Sequence, residues 1–193
     1  MSFDKIFEFE EALAEYTGAP YAIMTDNCTN ALELCFRYDR VSKTAFSQFT
    51  YLSVYQMLNR LGVEWTLLDE RWIGEYQFKD TRIWDSARLL APNMYRPYML
   101  QCLSFGYDKP MNLGWGGAIL TDDERFYNLV IRQRYDGRDL SLPWQNQALH
   151  PIGYHMRPTP ELAEMGLKML PNVDPEPIYK EYPNGSQLIW LEG

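Results

Sequence analysis

The stretch that decides the fold is residues 21–38, YAIMTDNCTNALELCFRY, which changes character near Asp26. Its first five residues are largely apolar and read as a buried strand. The turn that follows carries Asx and hydroxyl side chains and leads into a run of helical composition. A buried strand joined to a helix by a short polar turn is the repeating unit of α/β proteins.

Similar units recur through the first 137 residues. Further strands are predicted at 43–47, 63–69, 81–85, 99–105 and 116–121. Helices are predicted from a candidate N-cap at Ser2 to Gly18, from the turn after residue 25, over 51–61 before Gly62, from Thr121–Asp123 toward Gly137, and over 159–170 with Thr159 as cap. Strands that alternate with helices indicate a three-layer α/β/α sandwich whose sheet is mainly parallel and covered on both faces.

Composition and charge argue against several classes of function. The 193-residue chain carries a formal net charge of −8, which disfavours a nucleic-acid-binding surface. Its three cysteines and two histidines show no metal-ligand spacing and no disulfide framework, so we expect no metal site. No run approaches the ~20 apolar residues of a membrane span. We therefore expect a soluble, cytoplasmic protein without membrane or nucleic-acid partners.

The character of the chain changes after Gly137. Prolines become frequent between residues 138 and 160, at Pro143, Pro151, Pro158 and Pro160. Four more prolines fall in the last 23 residues, beyond the predicted helix 159–170. We expect residues 1–137 to form the α/β domain. Residues 138–193 would form an arm, a helix and an extended tail that packs on this body or on a partner subunit.

Chemically useful side chains follow the predicted strands, at the sheet edge where open α/β proteins bind ligands. They are Asn27, Cys28, Thr29, Thr50, Tyr51, Asp85, Ser104 and Lys109. A helix N-terminus after residue 25 could hold a phosphate, and Tyr51 could face a flat ring. Asp85 could pair with a protonated ring nitrogen, and Lys109 could bond to a carbonyl carbon. Together these features describe a site for pyridoxal phosphate.

Each of these residues also has an ordinary structural role. Hydroxyl residues commonly cap helices, aromatic residues pack in cores, aspartates form turns and lysines solvate surfaces. Any one of them is weak evidence for a cofactor site. Their order along the chain carries the interpretation.

Five segments between about residue 7 and about residue 170 resemble, in order, the DegT/StrS-type sugar aminotransferases, which are pyridoxal-phosphate enzymes of fold type I. The segments are FEEALAEYTGAPYAIMTDNCTNALEL, TYLSVYQMLNRLGVEWTLLD, WDSARLL, SFGYDKPMNLGWGGAILTDD and GYHMRPTPELAEMGLKML. The fourth segment, which begins at Ser104, is the most specific. It matches the family pattern Ser-Phe-x-x-x-Lys-x-x-x-x-Gly-x-Gly-Gly without a gap.

This resemblance implies pyridoxal 5′-phosphate as the cofactor of the 1–137 domain. Lys109 would form the covalent link to the cofactor and relay a proton during the reaction. Asp85 would pair with the pyridine nitrogen, and Tyr51 would stack on the ring. The phosphate would be held by Thr29, by the amide of Cys28 and by Ser104. Arg88 would lie beside the cofactor.

His155 and Arg157 match family positions that reach a neighbouring subunit's site, which implies a homodimer with shared active sites. The chain departs from the family pattern at three of the matched positions. Cys28 replaces the turn glycine, Arg88 replaces a glutamine and His155 replaces an asparagine. The family's further strand and helix between Asp69 and Asp85 are missing. Its small C-terminal domain is largely absent from this unusually short member.

The resemblance implies an aminotransferase that moves an amino group from an amino acid, with glutamate expected, to a keto-sugar, expected to be nucleotide-linked. A second hypothesis is a degenerate, non-enzymatic homologue that binds the cofactor or has a structural or regulatory role. A third, weaker one keeps the cofactor but changes the reaction, because family relatives also dehydrate or epimerise sugars.

Overall fold

The computed structural model describes residues 3–148 and 151–182. The cap predicted at Ser2 and the end of the predicted tail, from residue 183 onward, lie outside these residues. Five α-helices and seven strands follow one another in the described part. They are α1 (Asp4–Thr17), β1 (Tyr21–Thr25), α2 (Cys28–Asp39), β2 (Lys43–Ser47), α3 (Leu52–Leu61), β3 (Glu64–Leu68), β4 (Tyr76–Gln77), β5 (Ile83–Asp85), β6 (Leu100–Ser104), β7 (Gly117–Thr121), α4 (Glu124–Gln133) and α5 (Pro160–Met169).

Five of the strands form one sheet in the order β1-β7-β6-β5-β4. Strand β7 is antiparallel to both β1 and β6, whereas β5 and β6 are parallel and β4 is antiparallel to β5. Thus β1, β5 and β6 run in one direction. The α/β class is confirmed, and the sheet is mixed because no helix separates β6 from β7, so the chain returns antiparallel.

Strands β2 and β3 form a separate parallel pair. This pair is tied to the turn after β4, where the Lys79 amide donates to the Ala45 carbonyl at 2.9 Å. The Thr44 hydroxyl donates to the Lys79 carbonyl, also at 2.9 Å. Strand β4 lies between the predicted strands 63–69 and 81–85, where no strand or helix was predicted.

Successive side chains of the strands point to opposite faces of the sheet and pack in two hydrophobic cores, one on each face. Ile23 and Ile119 pack in a core that includes buried residues of α2, α3 and α4. Met24 and Leu120 point into the other core, which is closed by α1 and α5. The predicted three-layer arrangement is therefore present. Residues 138–148 add only a single 3-10 turn at Trp144–Asn146.

A buried ion pair joins the first helix to the segment after α4. Arg134 donates to the Glu10 carboxylate and to the Met24 carbonyl, and the Met24 amide donates to Glu10 at 2.6 Å. Burial raises the pKa of Glu10, and the charge of Arg134 opposes that shift. These polar groups satisfy one another, so the pair serves the fold. Among the residues described, no helix combines the length and hydropathy needed to cross a membrane.

Candidate functional site

The N-terminus of α2 forms one end of the candidate site. Asn27 caps the helix, and its side chain accepts a hydrogen bond from the Asn30 amide at 2.8 Å. Cys28 and Thr29 are the first helical residues, where amide groups lack partners within the helix. The Thr29 hydroxyl lies 2.6 Å from the Ser53 hydroxyl, in the first turn of α3. Amides and paired hydroxyls at a helix N-terminus suit an anion such as phosphate.

Strand β7 begins directly against this turn. A Cβ atom built on Gly117 would lie 2.5 Å from the Asn27 carbonyl carbon and from the Cys28 nitrogen. Only glycine permits so close an approach of one backbone to another. Gly116 and Gly117, at the end of the loop that carries Lys109, therefore position the turn at the start of α2. We term this turn, residues 27–29, the anion turn.

Asp85 ends β5 in the floor of the site and is 4% exposed. One carboxylate oxygen accepts from the Ala87 amide at 3.0 Å, and Tyr76 lies opposite Asp85 in the pairing of β4 with β5. Burial raises the pKa of Asp85, and the nearby Lys109 charge opposes that shift most strongly. A buried carboxylate of this kind would gain from a cationic partner in the cavity.

Lys109 lies in the loop that joins β6 to β7. The Phe105 amide donates to the Gly116 carbonyl and the Leu113 amide donates to the Phe105 carbonyl, both at 2.9 Å. Phe105 and Leu113 are buried, which anchors the base of the loop in the core. Gly116 adopts a φ of 115°, a conformation that favours glycine. The loop thereby holds the half-buried Lys109 close enough to Asp85 for their charges to interact.

These elements enclose a cavity of about 600 Å³. Seven of the predicted site residues line it, namely Cys28, Thr29, Tyr51, Asp85, Arg88, Ser104 and Lys109. Tyr51 stands at the N-cap of α3 and is 61% exposed. The volume lies within the ~300–1,000 Å³ typical of sites for small organic ligands. The structure thus brings these seven residues together, while their individual roles stay predictions.

Two of the departures from the family pattern lie in this cavity. Burial raises the pKa of the Cys28 thiol well above its ordinary range, and the Asp85 charge adds to that effect. The thiol is therefore neutral. Arg88 is 2% exposed, and its guanidinium donates to the Tyr182 hydroxyl and to the Asp108 carbonyl.

His155 and Arg157 do not line this cavity. The exposed His155 ring lies 3.2 Å from the Asp136 carboxylate. Arg157 donates to the Tyr135 hydroxyl at 3.1 Å and lines a separate small recess beside Phe3. Their predicted role, in the site of a neighbouring subunit, stays a prediction.

Several residues of the cavity were not predicted as site residues. Ser53 supplies the hydroxyl beside Thr29, and its place in the first turn of α3, two residues after the predicted Tyr51, is the signal that could have found it. Lys180 and Tyr182 come from the region predicted only as an extended tail. No local pattern marks these two, because their place in the cavity depends on how the tail crosses the body.

Residues 1–71 match the family model described as the DegT/DnrJ/EryC1/StrS aminotransferase family. The resemblance predicted from the sequence is thereby confirmed over these residues. No curated protein matches the chain.

Solved structures share the fold. A 3-amino-5-hydroxybenzoic acid synthase has a TM-score of 0.72 at 20% identity, over 89% of this chain and 56% of its own. The sugar aminotransferase CalS13 from Micromonospora echinospora has a TM-score of 0.75 at 14% identity, over 88% of this chain and 61% of its own. Spr1654 from Streptococcus pneumoniae, in its PMP form, has a TM-score of 0.70 at 17% identity, over 88% of this chain and 59% of its own. The chain therefore spans less than two thirds of the length of each.

Proposed function

We propose that this chain, which resembles the DegT/DnrJ/EryC1/StrS aminotransferase family, is an aminotransferase that uses pyridoxal 5′-phosphate. The amino group would pass from an amino acid, with glutamate as the expected donor, to a keto-sugar that is expected to be nucleotide-linked. The observation that carries the proposal is that Lys109, Asp85 and the N-terminus of α2 face one cavity of about 600 Å³.

The residues of the cavity fit this cofactor chemically. The amides of Cys28 and Thr29 at the start of α2, which lack partners within the helix, suit a phosphate group together with the nearby Ser104. At the floor, the buried Asp85 suits a protonated ring nitrogen, because a cation there would offset the cost of burying the carboxylate. The PLP and PMP forms in which Spr1654 was solved support the same choice of cofactor.

When bound, pyridoxal 5′-phosphate supplies an electron sink for the bond changes at the amino-bearing carbon. Lys109 would use its Nζ atom to hold the cofactor and then to move a proton to or from the reacting carbon. Asp85 would keep a proton on the ring nitrogen. Tyr51, at the open side of the cavity, would cover one face of the ring and limit the access of water.

The proposal includes the organisation of the chain. Residues 1–137 would hold the cofactor, and residues 138–193 would pack on this body or on a partner. The active form would be a cytoplasmic homodimer in which His155 and Arg157 complete the partner's site. Their position outside their own chain's cavity supports this arrangement.

The proposal is tested by absorbance spectroscopy of the protein mixed with pyridoxal 5′-phosphate. We expect a visible band from the lysine-bound cofactor, and we expect Lys109→Ala to abolish it. Lys168→Ala is the matched control, because this exposed lysine on α5 pairs with Glu164 and does not line the cavity. The control should keep the full band.

Adding glutamate separates the proposed enzyme from the alternative. Transfer of the amino group would convert the band to that of pyridoxamine 5′-phosphate. A band that persists with glutamate would favour a cofactor-binding protein without this activity, or a different reaction. The absence of any band in the wild-type protein would contradict the proposed function.

A further inference from the structure

Residues 177–182, which we term the strap, cross the body beside the cavity. The Ile178 amide donates to the Arg88 carbonyl at 2.9 Å. The Lys180 ammonium lies 2.9 Å from the Asp108 carboxylate, one residue before Lys109. The Glu181 carboxylate lies 2.7 Å from the Arg71 guanidinium. The strap is therefore attached at several points to the loops that surround the cavity.

The innermost attachment joins Arg88 to Tyr182. The Tyr182 hydroxyl accepts from Nε and Nη2 of Arg88 at 3.1 and 2.8 Å. The Arg88 side chain is 2% exposed, and its third bond, from Nη1 to the Asp108 carbonyl, is longer at 3.3 Å. Hydrogen bonds to a charged group are among the stronger ones, and buried donors without acceptors are costly. Arg88 therefore favours the docked position of the strap.

The docked strap forms a wall of the cavity and does not fill it. Tyr182 is 8% exposed, and its ring stacks with Trp72 at a centroid distance of 6.2 Å. Its edge-to-face contact with Tyr51 has a centroid distance of 6.3 Å. With Tyr182 and Lys180 in its lining, the cavity still measures about 600 Å³. A small organic ligand and the docked strap can thus be present together.

We propose that Arg88 and Tyr182 are positioning residues, whose link holds the strap closed over the cofactor so that release of the cofactor requires the strap to leave Arg88. This inference rests on the proposed function. It explains why arginine stands at position 88, where the resembled family has glutamine. It also assigns a role to the strap, which lies beyond residue 170, where that resemblance ends. Arg88 lines the cavity, and it acts on the strap through Tyr182.

The test uses the full chain and pyridoxamine 5′-phosphate, which binds without a covalent link to Lys109. Tyr182→Phe removes the hydroxyl that Arg88 binds and keeps the aromatic ring. Tyr179→Phe is the matched control, because the exposed Tyr179 hydroxyl accepts from Arg71 at 3.3 Å and Tyr179 does not line the cavity. The release rate is measured by ligand fluorescence. We expect release from Tyr182→Phe to be at least about tenfold faster, because the variant removes both hydrogen bonds that the hydroxyl accepts from the charged Arg88 side chain.

Trypsin cleavage after Lys180 reports the position of the strap directly. In the wild-type protein, added pyridoxamine 5′-phosphate should slow this cleavage, because the ligand and the docked strap stabilise each other. In Tyr182→Phe, cleavage should be faster and less sensitive to the ligand. Equal melting temperatures for the two tyrosine variants would show that the difference is not one of general stability.

Equal release rates in the wild-type protein and Tyr182→Phe would overturn the inference, as would cleavage that the ligand does not slow. Both results would leave the proposed function intact, because the visible band with pyridoxal 5′-phosphate would remain. If the wild-type protein bound neither form of the cofactor, the proposed function would fail and this inference with it.

Discussion

Asp85 is a carboxyl group buried at the floor of the cavity, where its charge serves the proposed ligand better than it serves the fold. Burial raises the pKa of Asp85, so the folded protein holds this proton more tightly than the unfolded chain does. The stability linked to this group is therefore full below the ordinary aspartate pKa of about 3.9 and is lost as the pH rises through the raised pKa. At neutral pH the charged carboxylate destabilises the cofactor-free protein.

Asp85→Asn should therefore raise the melting temperature of the cofactor-free protein at neutral pH. The asparagine side chain keeps an oxygen that can accept from the Ala87 backbone amide. The gain in melting temperature should vanish as the pH falls toward the ordinary aspartate pKa of about 3.9, because Asp85 itself then becomes protonated. The same variant should weaken binding of pyridoxal 5′-phosphate by roughly a hundredfold or more, as when a buried charge loses its partner. Thermal unfolding across pH and absorbance titration measure the two effects.

Asp108→Asn is the control for this prediction. Asp108 is exposed, and its hydrogen bond with Lys180 lowers the pKa of its carboxyl group. The folded protein therefore favours the charged form of Asp108, which stabilises the fold at neutral pH and not at low pH. Asp108→Asn should accordingly gain no stability at neutral pH. A melting temperature of Asp85→Asn that equals or falls below that of the wild type at neutral pH would contradict the account of Asp85.

At the scale of elements, the site depends on how closely β7 meets the N-terminus of α2. Gly117→Ala would place a methyl group 2.5 Å from backbone atoms of Asn27 and Cys28. Backbone cannot yield as a side chain does, so we expect a loss of about 1–3 kcal/mol in the free energy of unfolding. Binding of pyridoxamine 5′-phosphate should also weaken, since the anion turn must shift.

Gly106→Ala is the matched control in the same loop. Among the described residues, a Cβ atom there would meet the Ser104 hydroxyl oxygen at 3.7 Å, which is an ordinary contact. Chemical denaturation should give this variant a free energy of unfolding close to that of the wild type. If Gly117→Ala matched Gly106→Ala in stability and the wild type in ligand affinity, the close approach would not matter to the site.

The elements themselves were largely predictable from local patterns. The strands at 21–25 and 43–47 have the predicted bounds, and Thr159 caps α5 as expected. Strand β4 was not predicted, because its two residues are too few to show an alternation of apolar and polar side chains. It forms only because the chain folds back to pair with β5. Strand β7 runs antiparallel to β6 because no helix separates the two strands. The lack of a helical pattern between them was visible in the sequence.

At the scale of the whole molecule, His155 and Arg157 are the residues whose proposed role needs a second copy. We expect sedimentation to show a dimer at micromolar concentration. In a mixture of Lys109→Ala and Arg157→Ala chains, each heterodimer would contain one complete site. Conversion of the cofactor by glutamate should therefore be partly restored in the mixture, although each variant alone is inactive.

A strict monomer at micromolar concentration would contradict the shared site. So would an Arg157→Ala protein that converts the cofactor at the wild-type rate. Mixing Lys109→Ala with wild-type chains serves as the control, because any gain there comes only from the wild-type sites.

The sequence by itself determined the α/β class, most of the helices and strands, and the order of Thr29, Asp85, Ser104 and Lys109 along the chain. These features are local, because periodicity, caps and a gapless motif act over a few residues. Tertiary structure alone decided that seven predicted residues share one cavity and that β7 packs against the anion turn. It also decided that Tyr182 reaches Arg88 across 94 residues of sequence, because that contact depends on the path of the strap and not on any local pattern.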